Sequence, residues 1–286
     1  EEAIRTAQEE FGDLGPDIEQ FVELDAPNLE YWVSSLDMMC ALCEKAQPTF
    51  TELAFGKSMN ETKLIEMLYC ATVERYFNVR KNAFALVGDL IVHCSDKIGP
   101  HIGKFMPLCI ENLKPEYGLV CNNASWCVGV ALEKYGSKMN IYWKPVLEHL
   151  IVILKADDKK IKHFVKPNAA ITLARLACTF PNDVIKLWDK FAVDWMNALS
   201  IFNEDDDKIM AFQTLIRVIN ANPKVVVEHR RGLRALFFAI CSWKKPPPNL
   251  QSGFNKVLFC FLFALINTLF ETQKNNLHIC NKMISL

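Results

Sequence analysis

Residues 82–90 read Asn-Ala-Phe-Ala-Leu-Val-Gly-Asp-Leu, and altered copies of this stretch return three times along the chain. The copies are Asn-Ala-Ser-Trp-Cys-Val-Gly-Val-Ala at 123–131, Asn-Ala-Ala-Ile-Thr-Leu-Ala-Arg-Leu at 168–176 and, more weakly, Met-Ala-Phe-Gln-Thr-Leu-Ile-Arg-Val at 210–218. The shared alanines lie 41, 45 and 42 residues apart: Ala83, Ala124, Ala169 and Ala211. A period of this length is typical of two-helix units of the HEAT or armadillo kind.

The repeated alanine indicates that two helices cross closely at this point, since a larger side chain would push them apart. Such units bury their apolar faces only against neighbouring units, so they stack into a solenoid with a long concave wall. No stretch shows the alternation of polar and apolar residues that is typical of a β-strand. The sequence therefore predicts an all-α fold, an α-solenoid of HEAT repeats made of stacked antiparallel helix pairs.

Apolar periodicity and capping residues predict eleven helices in the repeat region. The acidic run 205–207 lies at the start of one of them, where negative charge suits a helix N-terminus. The predicted helices span Leu29–Ala46, Asn60–Val73, Asn78–Cys94, His101–Leu113, Tyr117–Tyr135, Tyr142–Leu154, Phe164–Thr179, Val184–Leu199, Glu204–Asn220, Pro223–Ser242 and the residues from Leu250 onward.

The charge distribution is uneven although the formal net charge of the 286 residues is −1. Residues 1–50 carry twelve acidic and two basic side chains, whereas residues 201–286 carry six acidic and eleven basic ones. An acidic opening with a mildly basic remainder argues against a nucleic-acid binder, which needs one strongly basic stripe. It permits attraction of basic ligands near the N-terminal repeats, but for most of these charges solvated helix faces are the better interpretation.

No pattern that carries catalytic or cofactor chemistry is present in the sequence. The eleven cysteines are scattered through apolar helical runs, which points to reduced thiols in a cytosolic or nuclear compartment. Cys40 and Cys43 are the one close pair, and no second pair or histidine pair completes a zinc site. Phosphate-binding loops and hydrolase motifs are also missing. We therefore expect no catalytic residue, no metal, no cofactor and no enzymatic activity.

The C-terminal region departs from the repeat pattern. Residues 257–270 are hydrophobic all round, unlike a half-exposed solenoid helix, and at fourteen residues they are short of the ~20 that span a bilayer. We expect a repeat domain over 1–258 and a divergent hydrophobic tail over 259–286. The tail can be a buried last helix, a membrane or partner anchor, or a gene-model artefact. We also expect the chain to be the C-terminal part of a longer protein.

Trp126 is the first candidate for a binding residue. It and Ile171 each lie two residues after their repeat's alanine, so they occupy equivalent places on adjacent helices. Asn122 shares a face with Trp126 one turn earlier, and Asp89 lies on the preceding helix. Core packing is the common role of a tryptophan. Here the core positions are already filled, which favours the inner surface for Trp126: Val120, Ala124, Cys127, Val128 and Ala131.

Several strings resemble the C-terminal HEAT repeats of the transportin family of karyopherin-β nuclear import receptors. The most specific is Cys-Asn-Asn-Ala-Ser-Trp at 121–126. Supporting strings are Phe-Ala-Leu-Val-Gly-Asp-Leu at 84–90, Phe-Met-Pro at 105–107, Asn-Leu-Lys-Pro-Glu at 112–116 and Ser-Trp at 242–243. The resemblance covers about residues 20–258 and fades after Leu258.

The resemblance implies that the concave wall binds cargo carrying a proline-tyrosine nuclear localisation signal. It implies that Trp126 holds the apolar or basic N-terminal part of that signal. The other positions that the resemblance places against cargo are Asp37, Asp89, Asn122, Asn168 and Ile171. One departure is Gly118, where the family has an aliphatic contact, so we expect a thinner apolar ledge.

The resemblance further implies that the full-length protein binds the Ran GTPase and nucleoporins and shuttles between cytoplasm and nucleus. No direct nucleic-acid or membrane partner is expected. An alternative is a HEAT scaffold that organises another complex through the ridges between its helices. A more distant one is a membrane-associated protein that uses residues 257–270.

Overall fold

Helices account for all the regular secondary structure in the described part of the chain. The computed structural model describes residues 27–56 and 61–259, except for the side chains of residues 27, 28, 61 and 62. These residues form two compact units that divide between Phe191 and Ala192. Consecutive helices pack against one another in each unit. The prediction of an all-α fold with packed helical repeats is confirmed.

The first unit contains two layers of helices. The α-helices among its described residues are α1 (Pro27–Lys45), α2 (Thr49–Phe55), α3 (Glu61–Thr72), α4 (Phe77–His93), α5 (Ser95–Ile98), α6 (Ile102–Glu111), α7 (Leu119–Tyr135), α8 (Trp143–Lys155), α9 (Val165–Thr179) and α10 (Pro181–Leu187). Helices α1, α4, α7 and α9 pack side by side in that order, and we call them the inner helices. Helices α3, α6 and α8 pack against α4, α7 and α9 respectively, and we call them the outer helices.

The repeated alanines lie in the core. Ala83 on α4, Ala124 on α7 and Ala169 on α9 have no solvent exposure, and neither has Ala211 in the second unit. Helices α4 and α7 pack against each other, as do α7 and α9. A methyl group at this point allows the inner helices to approach closely, as the repeat spacing predicted.

The described residues of the second unit form α11 (Ala192–Ser200), α12 (Asp206–Ala221), α13 (Lys224–Val227), α14 (Arg230–Cys241) and helical residues 248–259, which we call α15. The carboxylate of Asp205 accepts a hydrogen bond of 2.8 Å from the backbone N–H of Lys208 and caps α12. The capping role predicted for the acidic run is therefore confirmed. Helix α14 packs against α11 and α13.

Three helical segments differ from the sequence-based prediction. The helix expected over 184–199 is broken between α10 and α11, because Trp188 and Phe191 turn into the core and are almost fully buried there. The helix expected over 223–242 is broken between α13 and α14. A Cβ atom on Gly232 would lie 3.0 Å from the carbonyl carbon of Val225, so the two helices touch at that glycine. Helix α2 was missed because Pro48 was taken as a stop, whereas proline also suits a helix start.

The predicted hydrophobic tail lies almost entirely outside the described residues, which end at Phe259. Among the helices that the structure describes, none combines the length and apolar character needed to cross a membrane. Within the same residues, no group of histidine, cysteine and carboxylate side chains is arranged to hold a metal ion.

Candidate peptide-binding surface

A ladder of asparagine side chains links the inner helices. Each ladder residue directly precedes one of the repeated alanines, and its Nδ2 donates to a backbone carbonyl of the preceding inner helix. The bonds are Asn82 to the carbonyl of Val33 at 3.2 Å, Asn123 to that of Lys81 at 2.9 Å, and Asn168 to that of Asn122 at 2.9 Å. The ladder fixes neighbouring inner helices in register, which keeps their exposed side chains in a constant arrangement.

Removing one asparagine of the ladder should destabilise the first unit. Asn123→Ala deletes the bond from α7 to the Lys81 carbonyl, and we expect the free energy of unfolding to fall by about 1–2 kcal/mol, as for one partly buried hydrogen bond. The control is Asn140→Ala, because Asn140 is exposed in the connection before α8. Urea unfolding followed by circular dichroism measures both variants, and equal midpoints for the two would contradict the role of the ladder.

Trp126 is half-buried on α7, and its ring rests on Gly88 of α4. A Cβ atom on Gly88 would lie 2.6 Å from Cε3 and 2.9 Å from Cη2 of the ring, inside the van der Waals distance. The missing side chain of Gly88 thus provides the space that the indole occupies. Trp126 is therefore held between two inner helices and still keeps part of its ring in contact with solvent.

Asn122 lies one turn before Trp126 and is also half-buried. Its Oδ1 accepts a bond of 3.0 Å from Nδ2 of Asn168, and its own Nδ2 donates to Oδ1 of Asn123 at 3.3 Å. These bonds fix the orientation of the Asn122 amide beside Trp126. They also engage the amide nitrogen of Asn168 in the ladder, so the group that Asn168 can still offer to a ligand is its carbonyl oxygen.

Asp89 follows Gly88 directly on α4 and lies against α1. Burial raises the pKa of the Asp89 carboxyl above its ordinary value, although a hydrogen bond from the Cys40 thiol and the nearby His93 oppose the shift. Burial and the Asp89 charge in turn raise the pKa of the Cys40 thiol, which keeps it protonated as a donor. A half-buried carboxylate with a raised pKa is a site where a cationic ligand gains from pairing.

The acidic side chains around Asp89 lie on the neighbouring helix α1. Asp37 is exposed, and it is close enough to Cys40 for its charge to raise that thiol's pKa. Glu44 is exposed too, but it is paired with Lys45, which lowers its pKa. Asp37 on α1 and Asp89 on α4 therefore supply negative charge around Cys40, while Glu44 is partly neutralised.

Ile171 differs from the expectation that it lies beside Trp126 on an accessible ledge. Its side chain is 1% exposed, so in this conformation it offers almost no surface to a ligand. Gly118 stands at the start of α7 with a φ of +50°, a value that favours glycine. An aliphatic residue there would strain this turn, which gives a local reason for the departure from the family pattern.

Sequence reasoning missed two features of this surface, the asparagine ladder and the glycine that seats Trp126. The signal for the ladder was present, because three of the four copies place asparagine directly before alanine. The fourth copy has Met210 at that position and carries no amide to continue the ladder. Gly88 recurs as Gly129 in the next copy, but a glycine alone does not reveal which side chain occupies the space above it.

Trp126, Asn122 and Asp89 combine an aromatic face, a fixed amide and a carboxylate on adjacent inner helices. An aromatic ring and an amide suit an extended peptide, and the carboxylate suits a basic side chain on it. The structure thus places these three groups on neighbouring inner helices in a stack of two-helix repeats. This class of fold, the HEAT-repeat protein, binds partners along its repeats.

Comparison with known proteins identifies relatives of the same class. The chain is 29% identical over 241 residues to transportin-1 of Homo sapiens, covering 84% of this chain and 26% of the relative. It is 30% identical over 220 residues to transportin-1 of Oryza sativa subsp. japonica, covering 76% and 24%. It is 25% identical over 241 residues to importin subunit beta-2 of Schizosaccharomyces pombe, covering 82% and 25%. No protein-family model matches the chain.

The chain is therefore homologous to a segment of the transportin-family nuclear import receptors, and the predicted resemblance is confirmed. It spans about a quarter of the length of the curated relatives that it matches. Homology to transport receptors also agrees with the prediction that the chain is not an enzyme.

Proposed function

We propose that this chain is the cargo-binding segment of a nuclear import receptor and binds proline-tyrosine nuclear localisation signals on its inner helices. The observation that carries the proposal is the half-buried Trp126, seated on Gly88 beside Asp89. In this proposal the Trp126 ring contacts the N-terminal part of the signal, Asn122 bonds to its backbone, and Asp89 and Asp37 attract its basic side chains.

The remaining residues expected at the site keep narrower roles in the proposal. Asn168 offers its carbonyl oxygen and fixes Asn122 through two bonds of 2.9 and 3.0 Å. Ile171 lies beneath the surface and supports it. The proposal assigns cargo binding to the repeat domain expected over residues 1–258 and gives no part in it to residues 259–286.

Ran and nucleoporins are proposed as partners of the full-length receptor, which shuttles between cytoplasm and nucleus. This chain spans about a quarter of its relatives, and the repeats that bind Ran in the family are not among the strings it matches. Cargo bound to this chain alone should therefore stay bound when Ran in its GTP form is added. A pull-down with a labelled signal peptide measures this, and release of the peptide at ordinary salt would contradict it.

The proposal as a whole is tested by titrating a fluorescein-labelled proline-tyrosine signal peptide against the chain and following fluorescence anisotropy. A matched peptide in which alanine replaces the proline and the tyrosine is the control. Saturable binding of the first peptide and clearly weaker binding of the second are expected. Equal binding of the two would contradict the proposal.

Asp89→Asn should weaken peptide binding mainly at low salt, because the lost interaction is between charges and is screened at high ionic strength. Since the pKa of Asp89 is raised, protonation should weaken binding in the parent chain at a higher pH than for an ordinary aspartate. Asp89→Asn should remove this part of the pH dependence. The same titration, repeated at low and high salt and across mildly acidic pH, measures both effects.

The matched control for this prediction is Asp96→Asn. Asp96 is exposed on α5, beyond the C-terminal end of α4, and its loss changes the net charge by the same amount. If both variants lose affinity equally, the effect comes from net charge and not from a contact at Asp89.

A further inference from the structure

The exposed face of α14 carries three arginines and a pair of phenylalanines. The buried residues of this helix are Gly232, Ala235, Leu236 and Ala239, which share one face. The opposite face presents six exposed residues at helical spacing: Arg230, Arg231, Arg234, Phe237, Phe238 and Cys241. We call these six residues the α14 face. It is a continuous surface on one helix of the second unit, whereas Trp126 belongs to the first unit.

The arginines of the α14 face have no counter-charge among the residues that the structure describes. None of its three guanidinium groups forms an ion pair within the described part of the chain. Helix α14 contains no acidic residue, and Glu228, just before it, is exposed without an ion pair of its own. Three neighbouring arginines without counter-charges repel one another. An anionic partner would relieve this repulsion and accept hydrogen bonds from the guanidinium N–H groups.

The two phenylalanines of the face are also exposed to solvent. Phe237 is 42% exposed and Phe238 is 64% exposed. Two adjacent phenylalanines in contact with water next to a cluster of arginines are typical of an interaction surface, where aromatic residues and arginine are enriched. The face therefore offers a basic end and an apolar end.

The order of these residues along the helix distinguishes a peptide from a membrane. A helix that lies on a lipid surface carries its apolar residues along the length of one face with basic residues on the opposite face. On α14 the arginines occupy the first turns and the phenylalanines the last turns of the same face. The two groups are separated by about 8–10 Å along the axis at 1.5 Å per residue. An extended chain covers that distance in about three residues.

We propose that the α14 face binds an acidic linear segment of a partner protein, in which a cluster of Asp or Glu residues precedes a large apolar side chain by about three residues. The carboxylates pair with Arg230, Arg231 and Arg234, and the apolar side chain packs on Phe237 and Phe238. The proposal goes beyond cargo binding, because it concerns a different helix and the opposite charge preference. It therefore stands or fails separately from the function proposed above.

The test uses the whole chain and a fluorescein-labelled peptide of sequence Glu-Glu-Asp-Ser-Gly-Phe-Leu. Two control peptides replace either the acidic residues by lysine or the Phe-Leu pair by Ala-Ala. Anisotropy titrations should show saturable binding of the first peptide, loss of binding of the lysine peptide, and about tenfold weaker binding of the alanine peptide. Binding of the first peptide should weaken as salt is raised.

Two variants of α14 test the residues themselves. The triple variant Arg230→Glu, Arg231→Glu, Arg234→Glu should lower affinity at least about tenfold through lost pairing and added repulsion. Phe237→Ala with Phe238→Ala should lower it by a similar factor. The matched control replaces three exposed lysines of the first unit by glutamate, Lys134, Lys138 and Lys144, which changes the net charge equally and should leave the affinity unchanged.

Three outcomes would overturn the proposal. The control triple variant could lose as much affinity as the α14 triple variant. The lost affinity would then come from the change in net charge and not from contacts of the three arginines. Vesicles containing phosphatidylserine could bind the chain through the three arginines while the acidic peptide does not, which would make a lipid surface the occupant. A concentration-dependent dimer lost only in the α14 variants would make a second copy the occupant. All the variants should first show the parent's circular dichroism, and the proline-tyrosine peptide should bind them unchanged.

Discussion

Trp126→Ala should weaken binding of a proline-tyrosine signal peptide by about 1–3 kcal/mol, the usual range for loss of an aromatic anchor. The ring is already held on Gly88, so a bound peptide gains apolar contact without first ordering the side chain. Anisotropy titration of the labelled peptide measures the change in affinity. Because Trp126 is half-buried, the variant should also lose about 1 kcal/mol of unfolding free energy, from the part of the ring that leaves the protein interior.

Trp143→Ala is the matched control for this experiment. Trp143 is also a half-buried tryptophan, but it begins the outer helix α8 and not an inner one. It should bind the peptide like the parent chain. If Trp126→Ala binds like the parent and instead unfolds several kcal/mol more easily, Trp126 is a core residue and the proposed binding site is wrong.

Much of the fold could be predicted because the information is local. The repeated alanines, at 41 to 45 residues, mark positions where inner helices touch, and apolar periodicity of 3.6 residues marks the helices themselves. Helix ends shifted by one or two residues, as for α4 and α9. The broken helices around Trp188 and Gly232 were missed because tertiary packing, and not local propensity, ends them.

The surroundings of the candidate site were harder to predict, because a neighbouring helix determines them. Trp126 and Ile171 have equal phase in their repeats, yet one is half-buried and the other 1% exposed. Trp126 fills the space above Gly88. The equivalent space above Gly129 is taken by Thr172 and Arg175, whose atoms would lie 3.1 Å from an added Cβ. Repeat phase therefore gives the position on a helix but not the side chain that covers it.

The raised pKa of Asp89 illustrates the same limit. Burial raises this pKa, and a hydrogen bond from Cys40, which lies forty-nine residues earlier in the chain, opposes the shift. The sequence placed Asp89 on an inner helix, where the structure has it. The hydrogen bond and the desolvation of Asp89 depend on how closely α4 packs against α1. A local sequence pattern does not predict this distance.

Gly88→Ala should reproduce the binding defect of Trp126→Ala while leaving the tryptophan in place. The added Cβ would overlap the ring, at 2.6 Å from Cε3, and the ring is the end of a side chain that can move outward. Displacement of Trp126 should weaken the signal peptide by about 1–3 kcal/mol. Overpacking should lower the free energy of unfolding by about 1–2 kcal/mol. Anisotropy titration and urea unfolding measure the two effects.

Gly103→Ala provides the control, since its Cβ would meet nothing closer than the Tyr142 hydroxyl at 3.8 Å. It should bind the peptide like the parent. Labelling with 5-fluorotryptophan gives a resonance for each of the six tryptophans, and the one missing in Trp126→Phe identifies Trp126. That resonance should move in Gly88→Ala and stay in place in Gly103→Ala. If it moves while affinity is unchanged, the seated ring is not the contact that binds cargo, because displacing it would then be without consequence for the peptide.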